Sequence, residues 1–220
     1  NPALGVPGDF ATTGPYTTVP AMAGELTAGS AGVVIARFAW AEDSTGVVSN
    51  SKPSATSTRF GFVGRDQRAA ITTYLAESTM TVNAGNEITL YDSGAFLMAA
   101  PSTATIGQRV FAPYSGAAPT LGTAGTPPTT TLSVTTTSGS AAISYTGGDL
   151  YPGMPITGTG IPASTTVATV NATAGTATLS AAATASGTVT ATVTTGYETR
   201  FYVSTPGSTG DVIIITNRGF

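Results

Sequence analysis

Cysteine and histidine are both missing from this sequence, and charged residues are scarce, at 9% of its 220 positions. The lack of cysteine excludes disulfides, a thiol nucleophile and a cysteine-ligated zinc site. The lack of histidine excludes Ser-His-Asp and Cys-His catalytic units and any imidazole metal ligand. The usual share of charged residues is about 25%. The surface of this chain must therefore be built largely from threonine and serine.

Positive charge and long apolar runs are scarce as well. The net charge is −3, the isoelectric point is near 4.7 and Lys52 is the single lysine, which argues against nucleic-acid binding. The longest strongly apolar runs, 33–35 and 212–215, are far shorter than the roughly 20 residues of a membrane-spanning helix. Because 41% of the residues are hydrophobic, the composition is also unlike that of a disordered chain. A weakly charged, all-β structural protein fits this profile.

The N-terminal 25 residues contain four prolines and show no periodic apolar pattern. They predict an irregular arm, residues 1–25, that lies on another surface. Its large side chains Leu4, Phe10 and Tyr16 are widely spaced, as expected of a segment that docks one anchor at a time. A mobile terminus is the alternative interpretation.

Residues 26–114 alternate between strand-like runs and turns. The predicted strands include 32–40, 47–49, 59–63, 95–98 and 108–114, and residues 80–82 and 88–91 are predicted to form a hairpin. Residues 66–77 fit either a helix or a strand, and the surrounding β pattern favours a strand. The apolar run 211–216 predicts a central strand. Residues 26–114 and 197–220 are thus expected to form one discontinuous β-barrel.

The composition changes sharply over residues 115–196, where Asp149 is the only charged residue. Six short β-like runs are separated by glycine-rich turns, namely 131–135, 141–145, 155–157, 165–170, 176–179 and 188–193. Turn signals every 8 to 12 residues favour a small inserted β-sandwich or barrel that projects from the first domain. A disordered Thr/Ala-rich linker is the alternative.

Few residues offer catalytic or binding chemistry. The adjacent acids Glu42 and Asp43 are predicted to lie in a solvated turn, because a glycosidase needs two carboxylates on opposite sides of the scissile bond. Arg65 and Arg68 form a compact charged cluster that suits partner binding or an ordinary polar connection. Trp40 and its aromatic neighbours are predicted to be core residues, with a sugar-stacking platform as the alternative. No catalytic residue, cofactor or metal site is predicted.

Several segments, in this order along the chain, resemble the structural cement (capsid decoration) proteins of tailed bacteriophages. They are residues 6–11 (VPGDFA), 28–33 (AGSAGV), 37–40 (RFAW), 60–65 (FGFVGR), 71–77 (ITTYLAE), 94–96 (GAF), 107–112 (GQRVFA) and 198–203 (ETRFYV). Each piece alone is weakly specific, and the ordered series is more specific. The insert 115–196 departs from the family pattern, which has a short connection there.

The resemblance implies a jelly-roll-like or barrel core and a non-enzymatic protein on the outer surface of the virion, made in the host cytoplasm. The implied partners are the major capsid protein and other copies of itself, as a dimer or trimer, with no nucleic acid and no membrane. The residues expected to contact the capsid are Leu4, Phe10, Tyr16, Arg65 and Arg68. The competing interpretations are a glycan-binding adhesin or tail-fibre module using Trp40 or Tyr151, and a carbohydrate-active enzyme using Glu42, Asp43 or Glu77.

Overall fold

The computed structural model of the chain describes residues 5–21, 25–65 and 80–218. These residues form strands and turns without a helix, which confirms the all-β prediction. The region 66–77, which fitted either a helix or a strand, lies outside the described residues, as do Leu4 and Arg68. Within the described ranges there is no helix long and apolar enough to cross a membrane.

The strands of the described residues, in chain order, are β1 (Thr17–Thr18), β2 (Thr27–Ala28), β3 (Val33–Val34), β4 (Phe38–Ala41), β5 (Val47–Ser49), β6 (Arg59–Val63), β7 (Thr81–Val82), β8 (Leu90–Ser93), β9 (Ala95–Ala99), β10 (Arg109–Pro113), β11 (Thr120–Gly122), β12 (Thr129–Thr136), β13 (Ala142–Thr146), β14 (Ile156–Thr157), β15 (Val167–Asn171), β16 (Thr176–Leu179), β17 (Gly187–Thr194), β18 (Gly196–Val203) and β19 (Val212–Thr216). They form three main sheets and a small β3–β7 pair.

Two of these sheets pack face to face as a sandwich. The first has the strand order β1-β8-β6-β4-β5-β2, and the second has the order β11-β10-β18-β19-β9. Their facing side chains form one core that includes Trp40, Phe62, Phe96 and Phe201. Strand β19 lies between β18 and β9, so the prediction that 211–216 forms a central strand is confirmed.

The third sheet is built entirely from strands between Thr129 and Thr194, in the order β14-β17-β12-β13-β16-β15. Its end strands meet through a bridge between Pro155 and Thr166 and through a hydrogen bond from Val167 N–H to the Met154 carbonyl (2.9 Å). These contacts close the sheet into a small barrel with a core of its own. All six β-like runs predicted for this region coincide with its strands. The preceding strand β11 pairs with β10 in the sandwich.

Two local predictions are wrong. The proposed strand 32–40 is interrupted after β3, because Ala36 adopts a left-handed conformation (φ 58°) and donates its N–H to the Val63 carbonyl. The proposed hairpin of 80–82 with 88–91 does not form, since β7 pairs with β3 and β8 belongs to the first sheet. The turn between them is held by Ala28 instead, which bonds to Gly85 N–H and to the Asn86 carbonyl.

The N-terminal arm lies against its own sandwich and extends the second sheet. Gly8 N–H donates to the Leu97 carbonyl (2.8 Å), and Leu97 N–H donates to the Asp9 carbonyl (2.9 Å). Ala11 N–H donates to the Ala95 carbonyl (2.9 Å). These bonds cover the outer edge of β9, which would otherwise present unpaired backbone groups.

The same arm also covers one edge of the first sheet. Strand β1 pairs with the outer edge of β8, and Val19 N–H continues the pairing to the Leu90 carbonyl (2.8 Å). Strand β2 lies at the opposite edge of this sheet, beside β5. The described arm residues are therefore part of the folded sandwich, and what they offer to a partner is their outward-facing side chains.

Tyr114 joins the sandwich to the barrel. Its side chain belongs to the barrel core, and its ring stacks on Trp40 with centroids 6.1 Å apart. The Lys52 ammonium lies 5.8 Å from the centre of the ring. Burial, followed by the neighbouring Tyr197, raises the pKa of Tyr114 to about 12. The buried phenol is thus held in its neutral form.

Alkaline pH should weaken the fold through Tyr114. Because folding raises the pKa of this phenol from 10.0, the stability it contributes is present below pH 10 and is lost as the pH rises towards 12. Between pH 9 and 11, the wild type should lose on the order of 1 kcal/mol more free energy of unfolding than Tyr114→Phe, which keeps the stacking. Urea titrations at the two pH values measure the difference. Equal losses in the two proteins would contradict the assignment.

Candidate interaction surface

Four aromatic rings form what we call the aromatic corner: Phe10, Tyr16, Tyr91 and Phe96. They meet where the chain passes from β8 in one sheet to β9 in the other. Phe10 lies 5.0 Å from Tyr16, 5.1 Å from Tyr91 and 5.1 Å from Phe96, measured between ring centroids. Phe96 is buried, whereas Phe10 is 40% exposed and Tyr16 is 55% exposed. The arm thus places the rings of Phe10 and Tyr16 on the surface, and each of them packs against the ring of Tyr91.

Charged side chains surround the aromatic corner. Arg65 Nε lies 4.0 Å from the Asp9 carboxylate, and Arg200 Nη1 lies 3.7 Å from the Asp92 carboxylate. Arg218 donates to the Ser93 hydroxyl (2.7 Å). Among the described residues, this rim contains three cations, Arg65, Arg200 and Arg218, and two carboxylates, Asp9 and Asp92. The Arg200 side chain is 79% exposed and presents most of its guanidinium to solvent.

A cleft of about 130 Å³ opens between the two sheets beside the aromatic corner. Its wall includes Phe60, Tyr197 and Phe201, and it shares Tyr91 and the Asp92–Arg200 pair with the corner and its rim. Tyr197 is 43% exposed, and its ring lies 5.0 Å from that of Phe60. Corner, rim and cleft therefore form one continuous surface, in which aromatic side chains lie beside arginines and beside the carboxylates of Asp9, Asp92 and Glu198.

The structure brings together three of the five side chains expected to contact a partner, namely Phe10, Tyr16 and Arg65. Sequence reasoning missed Tyr91, Tyr197, Arg200 and Arg218, which belong to distant strands and carry no local motif. Trp40 is 2% exposed, so the suggestion that it stacks on sugars is wrong. Its indole lies in the sandwich core, against Phe60 and Tyr114. Tyr151 is half-buried and packs against the barrel core.

Glu42 and Asp43 lie in a turn, as predicted, but their carboxylates are held by hydrogen bonds to other side chains and are not merely solvated. The Glu42 carboxylate accepts from the Ser57 hydroxyl (3.0 Å), and Asp43 accepts from Thr58 and from Arg59. The Arg59 guanidinium, hydrogen-bonded at 2.9 Å, lowers the pKa of Asp43 from its usual value. Among the described residues, no three acidic side chains come close enough to hold a metal ion.

Comparison with known proteins adds one decisive observation. The family model of the XM1 gp53 minor capsid protein matches residues 1–150, which is 150 of the 220 positions. The chain belongs to the XM1 gp53 minor capsid protein family. Like that family, it is a phage structural protein associated with the capsid. No curated protein and no solved structure gives a significant match.

The part of the chain that matches the minor capsid family contains most of the surface described above. Phe10, Tyr16, Arg65, Tyr91 and Asp92 all lie within residues 1–150. The match ends inside the barrel, after β13. The resemblance to phage capsid-associated proteins noted from the sequence is therefore confirmed at the level of a structural capsid role.

Proposed function

We propose that this protein is a non-enzymatic decoration, or cement, protein of a phage head. It binds the outer surface of the shell, bridges neighbouring major capsid proteins and stabilises the shell by association alone. The contact is made by the aromatic corner, its charged rim and the adjoining cleft. Other copies of the chain, as a dimer or trimer, complete the assembly on the virion surface.

One observation carries the proposal: a capsid protein presents two solvent-exposed aromatic rings, each packed against Tyr91, beside three arginines and two carboxylates. Binding hot spots are enriched in tyrosine, tryptophan and arginine, and the centre of an interface is depleted of other charged residues. Phe10 and Tyr16 are held by Tyr91 and Phe96, so little side-chain entropy is lost when a partner covers them. The excess of arginine in the rim suits an acidic patch on the partner.

The charge distribution supports an outward position for the barrel. Residues 115–196 carry a single charged side chain, Asp149, and their outward strand positions are mostly threonine and serine. Thr131 faces Thr192 and Ser133 faces Thr190 across β12 and β17. A neutral hydroxyl surface offers a charged capsid no complementary partner. In our proposal the sandwich binds the shell and the barrel projects into solvent.

The test is co-sedimentation with undecorated, expanded heads of the phage that encodes the protein, together with the melting temperature of those heads. Wild-type protein should bind saturably and raise the melting temperature. Tyr16→Ala should weaken binding by roughly 30-fold or more, the effect of losing about 2 kcal/mol at a hot spot. Arg200→Glu should weaken binding more strongly at low salt than at high salt.

A matched control separates a specific contact from a general loss of apolar surface. Ile106 is 57% exposed and lies outside the corner, its rim and the cleft, so Ile106→Ala should bind like the wild type. Circular dichroism should show that all variants remain folded. Absence of binding by the folded wild type would refute the decoration role. Equal effects of Tyr16→Ala and Ile106→Ala would refute only the assignment of the surface.

A further inference from the structure

Arg59 is a nearly buried cation that links three parts of the chain. It begins β6, and its side chain is 7% exposed. Its Nε donates to the Asp43 carboxylate (2.9 Å), its Nη2 donates to the Glu42 carbonyl (2.8 Å) and its Nη1 donates to the Pro20 carbonyl (3.3 Å). One guanidinium thus connects the sandwich, the turn after β4 and the end of the arm.

Asp43 supplies the charge that balances this buried guanidinium. One of its carboxylate oxygens faces Arg59, and the other accepts from the Thr58 hydroxyl (3.0 Å) and the Thr58 N–H (3.3 Å). The carboxylate of Glu42 is engaged by Ser57, so Arg59 meets Glu42 through its main chain. Removing the carboxylate partner of a buried cation strongly destabilises the folded state, because the remaining buried charge is uncompensated.

Other acidic groups lie near the same end of the sandwich. Thr27 N–H at the start of β2 bonds to the Gly46 carbonyl, and a Cβ added at Gly46, in the turn that follows Asp43, would lie 2.8 Å from the Glu25 carbonyl oxygen. Glu25 and Glu87 line a surface groove with Val19 and Leu26. Of these carboxylates, Asp43 forms the ion pair with Arg59, with 2.9 Å between Arg59 Nε and the Asp43 carboxylate. Protonation of Asp43 is therefore the step that removes the counter-charge of the guanidinium.

The hydrogen bond from Arg59 to the Pro20 carbonyl lies where the pairing of the arm with β8 ends. Just before it, Thr17, Thr18 and Val19 pair with β8, and this pairing covers the edge of the first sheet. Short edge pairings of two or three residues are weak by themselves. The Arg59 hydrogen bond to the Pro20 carbonyl fixes the chain where that pairing ends.

We propose that Asp43 and Arg59 form an acid-sensitive clasp that fastens the C-terminal end of the arm to the sandwich. When Asp43 is ionised, Arg59 is neutralised and holds the Pro20 carbonyl. When Asp43 takes up a proton, the guanidinium turns towards solvent and the arm from Tyr16 to Pro20 separates from β8. The proposal rests on these contacts and does not depend on the capsid-binding surface.

The direction of the pH effect follows from the Arg59 contact. Arg59 lowers the pKa of Asp43 below 3.8, its usual value. A group with a lowered pKa in the folded state contributes stability that is present above its unfolded pKa and is lost as the pH falls through the folded value. The clasp is therefore closed at neutral and mildly acidic pH and opens only in acid, as the pH falls through the lowered pKa of Asp43.

Hydrogen exchange of the full-length protein, corrected for intrinsic exchange rates, measures the clasp. Between pH 6 and pH 2, protection of the Val19 amide in the wild type should fall about tenfold or more, as expected when a charge-assisted contact is lost. The amides of Ile213 and Ile215 in β19 serve as the internal reference for global unfolding. Their protection should change much less over the same range.

Two variants complete the test. Asp43→Asn keeps the side-chain shape and removes the charge, so arm protection should be low already at pH 6 and should vary little with pH. Asp211→Asn is the matched control, because Asp211 also accepts a backbone N–H in a sandwich turn, from Ser208, and this bond does not involve the described arm residues. Its arm protection should follow the wild type.

Two results would overturn the proposal. In the first, Asp43→Asn shows the protection and the pH dependence of the wild type, which would assign any acid effect to other carboxylates such as Asp9 near Arg65. In the second, the arm and β19 lose protection together, which would show global unfolding and no separate clasp.

Discussion

Phe62→Ala is expected to lower the free energy of unfolding of the sandwich by about 3–5 kcal/mol, the usual cost of removing a buried phenyl ring. Phe62 is fully buried, and its ring packs against Phe38 at 5.3 Å and Phe96 at 4.9 Å. It thus lies between side chains of both sheets, and the cavity left by truncation has rigid walls of neighbouring rings. Fluorescence of Trp40, the single tryptophan, reports unfolding of this core.

The barrel provides the matched comparison, because its core residues form a separate cluster. Leu132→Ala, at a position that is 3% exposed, should cost about 2–5 kcal/mol in the barrel and leave the Trp40 transition nearly unchanged. Urea titrations followed by Trp40 fluorescence and by circular dichroism distinguish the two transitions. If Leu132→Ala moved the Trp40 transition as far as Phe62→Ala does, the sandwich and barrel would unfold as one unit.

The sequence predicts the barrel strands better than it predicts the sandwich. In the strands of residues 129–194, threonine or serine alternates with apolar residues, as in Thr188 to Val193, and glycine-rich turns separate the strands. The local sequence is therefore enough to predict each barrel strand. In the sandwich, by contrast, residues 80–91 look like a hairpin, but the β7 backbone pairs with β3 and the turn is bound by Ala28. Such non-local pairing overrides local turn chemistry.

The candidate surface was predictable only in part, for a similar reason. Phe10 and Tyr16 stand out because the arm contains few other large side chains. Tyr91, Tyr197 and Arg200 belong to ordinary strand patterns, and only the packing of β8 against β18 brings them together. Arg59 carried no sequence signal beyond its place at the start of a strand, since its partners Asp43 and Pro20 are 16 and 39 residues away.

The arm covers sheet edges that this chain, with its few charged residues, does not protect by charge. With so few charged residues, the chain lacks the lysines that usually protect sheet edges from pairing with other molecules. Instead, the arm covers β9 through Gly8 and Asp9 and covers β8 through β1. Strand β11 at the far edge is three residues long and is preceded by Pro119, which also limits pairing.

Gly8→Ala tests whether this cover stabilises the sandwich. Gly8 has a φ of +96° and donates to the Leu97 carbonyl. An added Cβ would lie 2.5 Å from Ile35 Cγ2 and 3.2 Å from Arg65 N. Ile35 is 3% exposed and has little room to move. Backbone strain and overpacking together should lower the free energy of unfolding by about 2–4 kcal/mol.

Gly107→Ala is the control for backbone strain alone. Gly107 lies in a sandwich loop with a similar φ of +86°, but its added Cβ would meet no atom within 4 Å. This substitution should cost about 1 kcal/mol. The difference between the two variants, measured by urea unfolding with Trp40 fluorescence, isolates the contact of the arm with the sandwich. Equal costs would mean that the arm contributes little to the stability of the sandwich.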